Sequence, residues 1–169
     1  MEFDLYGQLW ADNLAIRFAH NITLTHRRQI GESCVSTGLS AITGDSPEFI
    51  RDIINTQSPA SWSDYLRPFG WQLAYCNTDL RRLDYYIDEL VLLDDLFVIC
   101  TYSPADPYDI AVEPDSNGWV CGSHFFLLHG ETIYDSLYSE PQPAFDYQGL
   151  EKYVKRVFRV VPDGYRRAL

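Results

Sequence analysis

The 169-residue chain is 46% hydrophobic and 15% aromatic, enough for one domain spanning 1–169 with a sizeable core and too short for two ordinary ones. Its formal charge of -11, from 24 acids against 13 Lys and Arg, repels a phosphate backbone, so no nucleic-acid partner is expected. No apolar run approaches the roughly 20 residues of a membrane helix, and the acidic start Met1-Glu2-Phe3-Asp4 does not read as a secretory signal. The expectation is a soluble protein without a membrane partner, cytoplasmic or secreted without a cleaved signal peptide.

In chain order, residues 5–28 carry only short mixed elements. A helix starts at Cys34, after the loop Gly31-Glu32-Ser33, with Val35, Leu39 and Ile42 at helical spacing and Gly44 as its stop. Ser46-Pro47 reads as an N-cap with proline at the first helical position, opening a second helix to about Asn55 with Phe49, Ile50 and Ile53 inward. A third runs from about Ser61 to Arg67 and is stopped by Pro68 and Gly70. Trp71 to Cys76 is a strand, and Thr78 is expected to cap a helix from Asp79 to about Leu90 with the stripe Leu80, Leu83, Ile87 and Leu90.

Strands dominate the rest of the chain. Leu96 to Tyr102 is a continuous apolar, β-branched run, the mark of a buried strand, and Pro104 to Gly118 is a polar loop. Gly122 to His129 and Thr132 to Leu137 flank a hairpin turn, and Tyr153 to Val161 is a last strand. The fold class is therefore α+β: an N-terminal helical layer against an antiparallel sheet, two segregated layers.

Charge is unevenly distributed. Residues 151–169 hold six of the 13 cations (Lys152, Lys155, Arg156, Arg159, Arg166 and Arg167) and two acids, which leaves the first 150 residues at -15. The basic end reads as the solvated face of a last strand and tail. The four cysteines, Cys34, Cys76, Cys100 and Cys121, show no paired spacing and read as free thiols, with Cys76 and Cys100 as small buried hydrophobes. Cys121 and His124 lack a second close pair of ligands, so no metal or other cofactor is expected.

Cys34 is different because a helix N-terminus favours the thiolate, through unpaired N–H groups and the helix dipole. A thiolate nucleophile needs a base, and His124 opens an apolar strand behind the small residues Gly122 and Ser123. A two- or four-residue hairpin loop pairs His124 with Leu137 and Phe126 with Asp135, which makes His124 and Asp135 diagonal neighbours on one face and turns His129 to the other. Gln29 supplies an amide before the helix that can donate to an oxyanion. Trp119, in the loop before His124, is the candidate wall of a substrate site; His20 and His26 lie near Cys34 in sequence only.

The run Gln29-Ile30-Gly31-Glu32-Ser33-Cys34, the strand from Gly122 to Leu128 and the element Ile133-Tyr134-Asp135-Ser136 resemble the papain-like cysteine peptidases, and within them the small bacterial group similar to bacteriocin-leader peptidases. Val35 stands where many of that family have glycine, and five residues rather than six separate Gln29 from Cys34. The resemblance implies a helix bearing Cys34 as nucleophile, packed on an antiparallel sheet bearing His124 as base and acid and Asp135 as its orienter, with Gln29 in the oxyanion hole. It further implies a thiol hydrolase acting on peptide or isopeptide bonds of a protein or peptide substrate; a chain this small and acidic suits a secreted effector, a housekeeping hydrolase or a phage-encoded modifier of a host protein. Deamidases and transglutaminase-type acyl transferases share the same triad. The alternative of another class is an acidic, non-catalytic interaction protein on a degenerate papain-like fold.

Overall fold

A computed structural model describes residues 9–10, 16–104, 106, 108, 110 and 122–166. Strands β1 (Trp71–Cys76), β2 (Leu96–Tyr102), β3 (Ser123–His129), β4 (Thr132–Tyr134), β5 (Gln142–Pro143) and β6 (Val154–Pro162) form one antiparallel sheet in the order β1-β6-β2-β3-β4-β5. Helices α1 (Cys34–Thr43), α2 (Pro47–Ile53), α3 (Pro59–Leu66) and α4 (Leu83–Leu93) pack on it, so the architecture is α+β. Among the described residues no helix is long and apolar enough to cross a membrane.

The strand period of two divides the core into two halves. Leu73, Val98, Phe125, Leu127, Phe158 and Val160 meet Leu39 of α1 and Trp62 and Leu66 of α3. Ala74, Phe97, Ile99, Phe126, Leu128, Val157 and Val161 meet Leu83, Ile87 and Leu90 of α4 together with Leu9 and Trp10. Both faces of the sheet are thus covered, and the expected two layers become three. The continuous apolar run of β2 reflects this: all seven of its residues are buried, because it lies between β6 and β3 with helices above and below.

Local chemistry explains most boundaries. Gly44 ends α1 in the left-handed region at φ 83°. Ser46 caps α2 by accepting from the Phe49 N–H. That helix ends at Ile53 rather than Asn55 and buries only Ile50; Phe49 and Ile53 are more than half exposed, since α2 packs on α1 at the outside of the molecule. Helix α3 starts two residues before the expected Ser61, with Ser58 as its cap and Pro59 at its first position, and passes through a 3-10 turn at Arg67–Phe69 into Gly70.

Helix α4 departs furthest from expectation. It begins at Leu83, not Asp79, and Leu80 is exposed. The preceding Arg82 is drawn into a β-bridge with Tyr153, and the first helical N–H groups of Leu83 and Asp84 donate to the carbonyls of Lys152 (2.8 Å) and Leu150 (2.9 Å). A long-range partner has replaced the expected Thr78 cap. The residues 9–10 and 16–28 contain no helix or strand.

The basic C-terminal run is not uniformly solvated. Arg159 is fully buried, its Nε 2.8 Å from Oδ2 of buried Asp95, its Nη2 on the Ile16 carbonyl and its guanidinium against Trp10 and Phe18. Asp95 also accepts from the N–H groups of Phe18 and Ala19 at 2.8 and 2.7 Å, which ties the N-terminal segment to the sheet.

Candidate active site

Cys34 is the first residue of α1, where the first-turn N–H groups lack intrahelical acceptors. Ser33, the N-cap, does not satisfy them: its hydroxyl goes to the Ile30 carbonyl at 2.9 Å and to Thr37. The open donors are turned on the sulfur instead, which receives the N–H of its neighbour Val35 and that of Phe125 in β3. Gly38 permits this approach. A Cβ there would lie 2.3 Å from the Phe125 ring, itself held edge-on by Trp62 at 5.3 Å.

His124 lies one residue before Phe125, near the start of β3, and its ring bonds both the Cys34 sulfur and Asp135. Nε2 is 2.6 Å from Asp135 Oδ1, so the nitrogen left for the sulfur is Nδ1. The hairpin register is the expected one: Leu127 opposes Tyr134, Leu128 opposes Ile133 and His129 opposes Thr132, around a two-residue turn in which Gly130 has φ 62°. β4 ends at Tyr134 rather than Leu137, and Asp135 leaves the ladder with its carboxylate beside the diagonal His124. His129 faces away and bonds the His20 carbonyl; His26 bonds the Tyr138 carbonyl, and neither His20 nor His26 reaches Cys34's cleft.

Asp135 is nearly inaccessible, and each oxygen is satisfied: Oδ1 by His124 and the Leu137 N–H at 2.9 Å, Oδ2 by the Tyr147 hydroxyl at 2.5 Å. Phe126 stacks beneath the imidazole, with ring centroids 5.9 Å apart, and touches Tyr147 in turn. No sequence spacing announces Tyr147, which follows the 3-10 turn Ala144–Asp146 that β5 brings under the hairpin.

These contacts decide the protonation states. Burial raises the Cys34 thiol, but the His124 hydrogen bond, the Phe125 N–H and the imidazolium charge together bring it below its ordinary value. Burial works against a charged His124 as well, yet bonds to Asp135 and Cys34 and their charges push it up to about 9. Asp135 has burial against it, and the His124 bond and charge, with Tyr147 and the Leu137 N–H, hold it below the usual carboxylate range. Tyr147 is pushed up by burial and then by Asp135, so it remains a neutral donor. The arrangement favours a thiolate beside an imidazolium oriented by a carboxylate.

The sulfur opens on a cleft of about 550 Å³ lined on one side by Gln29 and Ser33 and on the other by Ser123 and Leu137, with Trp62 also in its wall. The Gln29 amide is fixed by two bonds, Nε2 to the Gly31 carbonyl and Oε1 from the Ser136 hydroxyl, each at 2.7 Å, and its second Nε2 hydrogen remains as a donor. Trp119 lies outside the described residues, as does Cys121. Cys34 and Cys100 are free thiols; burial pushes Cys100 up to about 12. No cluster of three or more His, Cys, Asp and Glu fit for a metal ion occurs among the described residues.

No protein-family model matches the chain, and no curated protein matches it in sequence.

Proposed function

We propose that the protein is a papain-like thiol hydrolase that cleaves peptide or isopeptide amide bonds through an acyl-enzyme. The observation that carries this reading is the continuous chain of contacts from the Cys34 sulfur through His124 to Asp135, at the opening of a helix and on the wall of a cleft. In the first half-reaction the thiolate adds to the amide carbonyl carbon, and the oxyanion takes hydrogen bonds from Gln29 Nε2 and the first-turn N–H of Cys34. His124 gives its proton to the leaving nitrogen as the C–N bond breaks, leaving a thioester and a neutral imidazole.

In the second half-reaction the neutral imidazole takes a proton from water, whose oxygen attacks the thioester. The thiolate leaves, and the product is a carboxylic acid. An amine in place of water gives acyl transfer, and a glutamine side chain in place of a backbone amide gives deamidation, with Cys34, His124 and Asp135 in unchanged roles. The buried, fully satisfied carboxylate favours catalysis over a purely structural histidine, because the same bonds that fix His124 also charge it.

Alkylation by iodoacetamide, read residue by residue by mass spectrometry, tests this. At about pH 6 a simple thiol is almost wholly protonated, whereas Cys34 is expected to react at least tenfold faster than such a thiol. His124→Ala is expected to remove that advantage, and Cys34→Ala to abolish amide cleavage. A Cys34 that reacts at the rate of a simple thiol and is indifferent to His124→Ala overturns the reading.

A further inference from the structure

The cleft inverts the sign of the molecule around it. The chain carries -11 overall, and its first 150 residues -15, yet among the described residues the cleft is lined by Arg51 of α2 and by Lys155 and Arg156 of β6 against the carboxylate of Glu32. Among the described residues neither Arg51 nor Arg156 forms an ion pair. A cation on an acidic surface ordinarily finds a carboxylate; here two are left facing a concavity, where the field is focused rather than dispersed into water.

A specific irregularity puts them there. Along β2 and β6 Cys100 pairs with Arg156 while the next residue, Thr101, pairs with Val154, so Lys155 is the extra residue of a bulge. A regular strand turns consecutive side chains to opposite faces, whereas the bulge brings both Lys155 and Arg156 to the cleft.

The sheet also gives their distance from the sulfur. Arg156 is opposite Cys100, Cys100 is opposite Phe125, and the Phe125 N–H reaches Cys34. Two strand spacings amount to about 10 Å, which an extended peptide covers in about three residues. We infer that the cleft selects an acidic peptide, with a Glu or Asp side chain within about three residues of the attacked amide held by Lys155, Arg156 and Arg51. This rests on the hydrolase reading and adds the substrate class. It also gives the basic C-terminal strand a task that Lys152, bonded to the Ser103 carbonyl, and the exposed Arg166 do not share.

The test compares two alkylating reagents, anionic iodoacetate and neutral iodoacetamide, on Cys34 of the whole chain. Both consume the same thiolate, so the ratio of their rates cancels the amount of thiolate present and reports the field at the sulfur, to which the His124 imidazolium contributes along with the cleft cations. At low ionic strength the ratio is expected to exceed that of N-acetylcysteine amide by about tenfold and to approach it in 1 M salt, where charges are screened beyond roughly 3 Å. Lys155→Gln with Arg156→Gln is expected to lower the ratio about fivefold, and Arg51→Gln, on a different element, about threefold.

In a second arm, a tetraglutamate peptide is expected to slow iodoacetamide alkylation at concentrations where tetraglutamine does not. A ratio unchanged in both sets of variants, or equal protection by the two peptides, overturns the substrate assignment while leaving the nucleophile intact. A Cys34 that iodoacetamide attacks no faster than a simple thiol instead overturns the hydrolase reading beneath it.

Discussion

Tyr147 donates its hydroxyl to Asp135 Oδ2 at 2.5 Å, on the carboxylate oxygen that His124 does not use. The phenol comes from the turn after β5 and the carboxylate from the end of β4, so the bond locks the hairpin end in the position from which it holds the imidazole. Removing the hydroxyl leaves a charged oxygen at a residue only 1% exposed with one partner fewer. Tyr147→Phe is expected to cost about 1–3 kcal/mol of stability in denaturant unfolding. It is also expected to slow amide cleavage less than Asp135→Ala does, since Phe126 still packs against the ring of His124.

On the proposed hydrolase reading, the pH dependence of amide cleavage follows from two titrations of opposite sign. The thiolate is present above the Cys34 pKa, which lies below the ordinary value of 9.0, and the imidazolium is present below that of His124, pushed up to about 9. Activity is expected to be bell-shaped, its acid limb below the ordinary thiol range and its alkaline limb near 9, both belonging to the coupled pair. In Asp135→Ala the alkaline limb is expected to move down toward the ordinary histidine value of 6.5, because the carboxylate bond and charge that raise His124 are gone. An alkaline limb that stays in place in that variant contradicts the assignment of Asp135.

Gly38 sets how closely α1 approaches the sheet. Alanine improves intrinsic helix propensity there by about 1 kcal/mol, but its Cβ meets the Phe125 ring at 2.3 Å and overpacking a filled core costs about 1–3 kcal/mol. The ring cannot retreat, being buried against Trp62. Gly38→Ala is therefore expected to destabilise the protein and to lower the Cys34 alkylation rate at acid pH, because α1 and the Phe125 N–H move apart. Thermal unfolding and the alkylation rate together check it; a more stable variant with unchanged rate would show that the interface has slack.

The buried Asp95–Arg159 pair anchors the N-terminal segment. Truncating one partner strands the other charge at a site with 0% exposure and frees the N–H groups of Phe18 and Ala19. Asp95→Ala is expected to cost about 3–5 kcal/mol. Limited proteolysis is expected to cut first within residues 16–28, which contain no helix or strand and are held by these bonds.

Local signals make much of this molecule legible. The helix at Cys34, the caps at Ser46 and Gly44, and the buried strand β2 follow from spacing, turn residues and apolar continuity, all of which act over a few residues. The His124–Asp135 neighbourhood is legible for a related reason: a two-residue turn dictates strand parity, and parity decides which side chains share a face. The start of α4 is not, because its first N–H groups are satisfied by Leu150 and Lys152, far along the chain. The burial of Arg159 is hidden for the same reason: in sequence it is one more cation in a basic run, and only its encounter with Asp95 distinguishes it.

By itself the sequence determined which reactive groups exist and the local geometry that presents them: a sulfur opening a helix and an imidazole and a carboxylate on one hairpin face. Only the tertiary structure decided that the sulfur meets that imidazole, that Tyr147 completes the carboxylate, and that a bulge in β6 turns Lys155 and Arg156 into the same cleft. The physical reason is range. Backbone periodicity and turn chemistry are settled within a few residues, whereas desolvation and charge pairing are sums over whatever the closed fold brings near, and no short stretch of chain contains them.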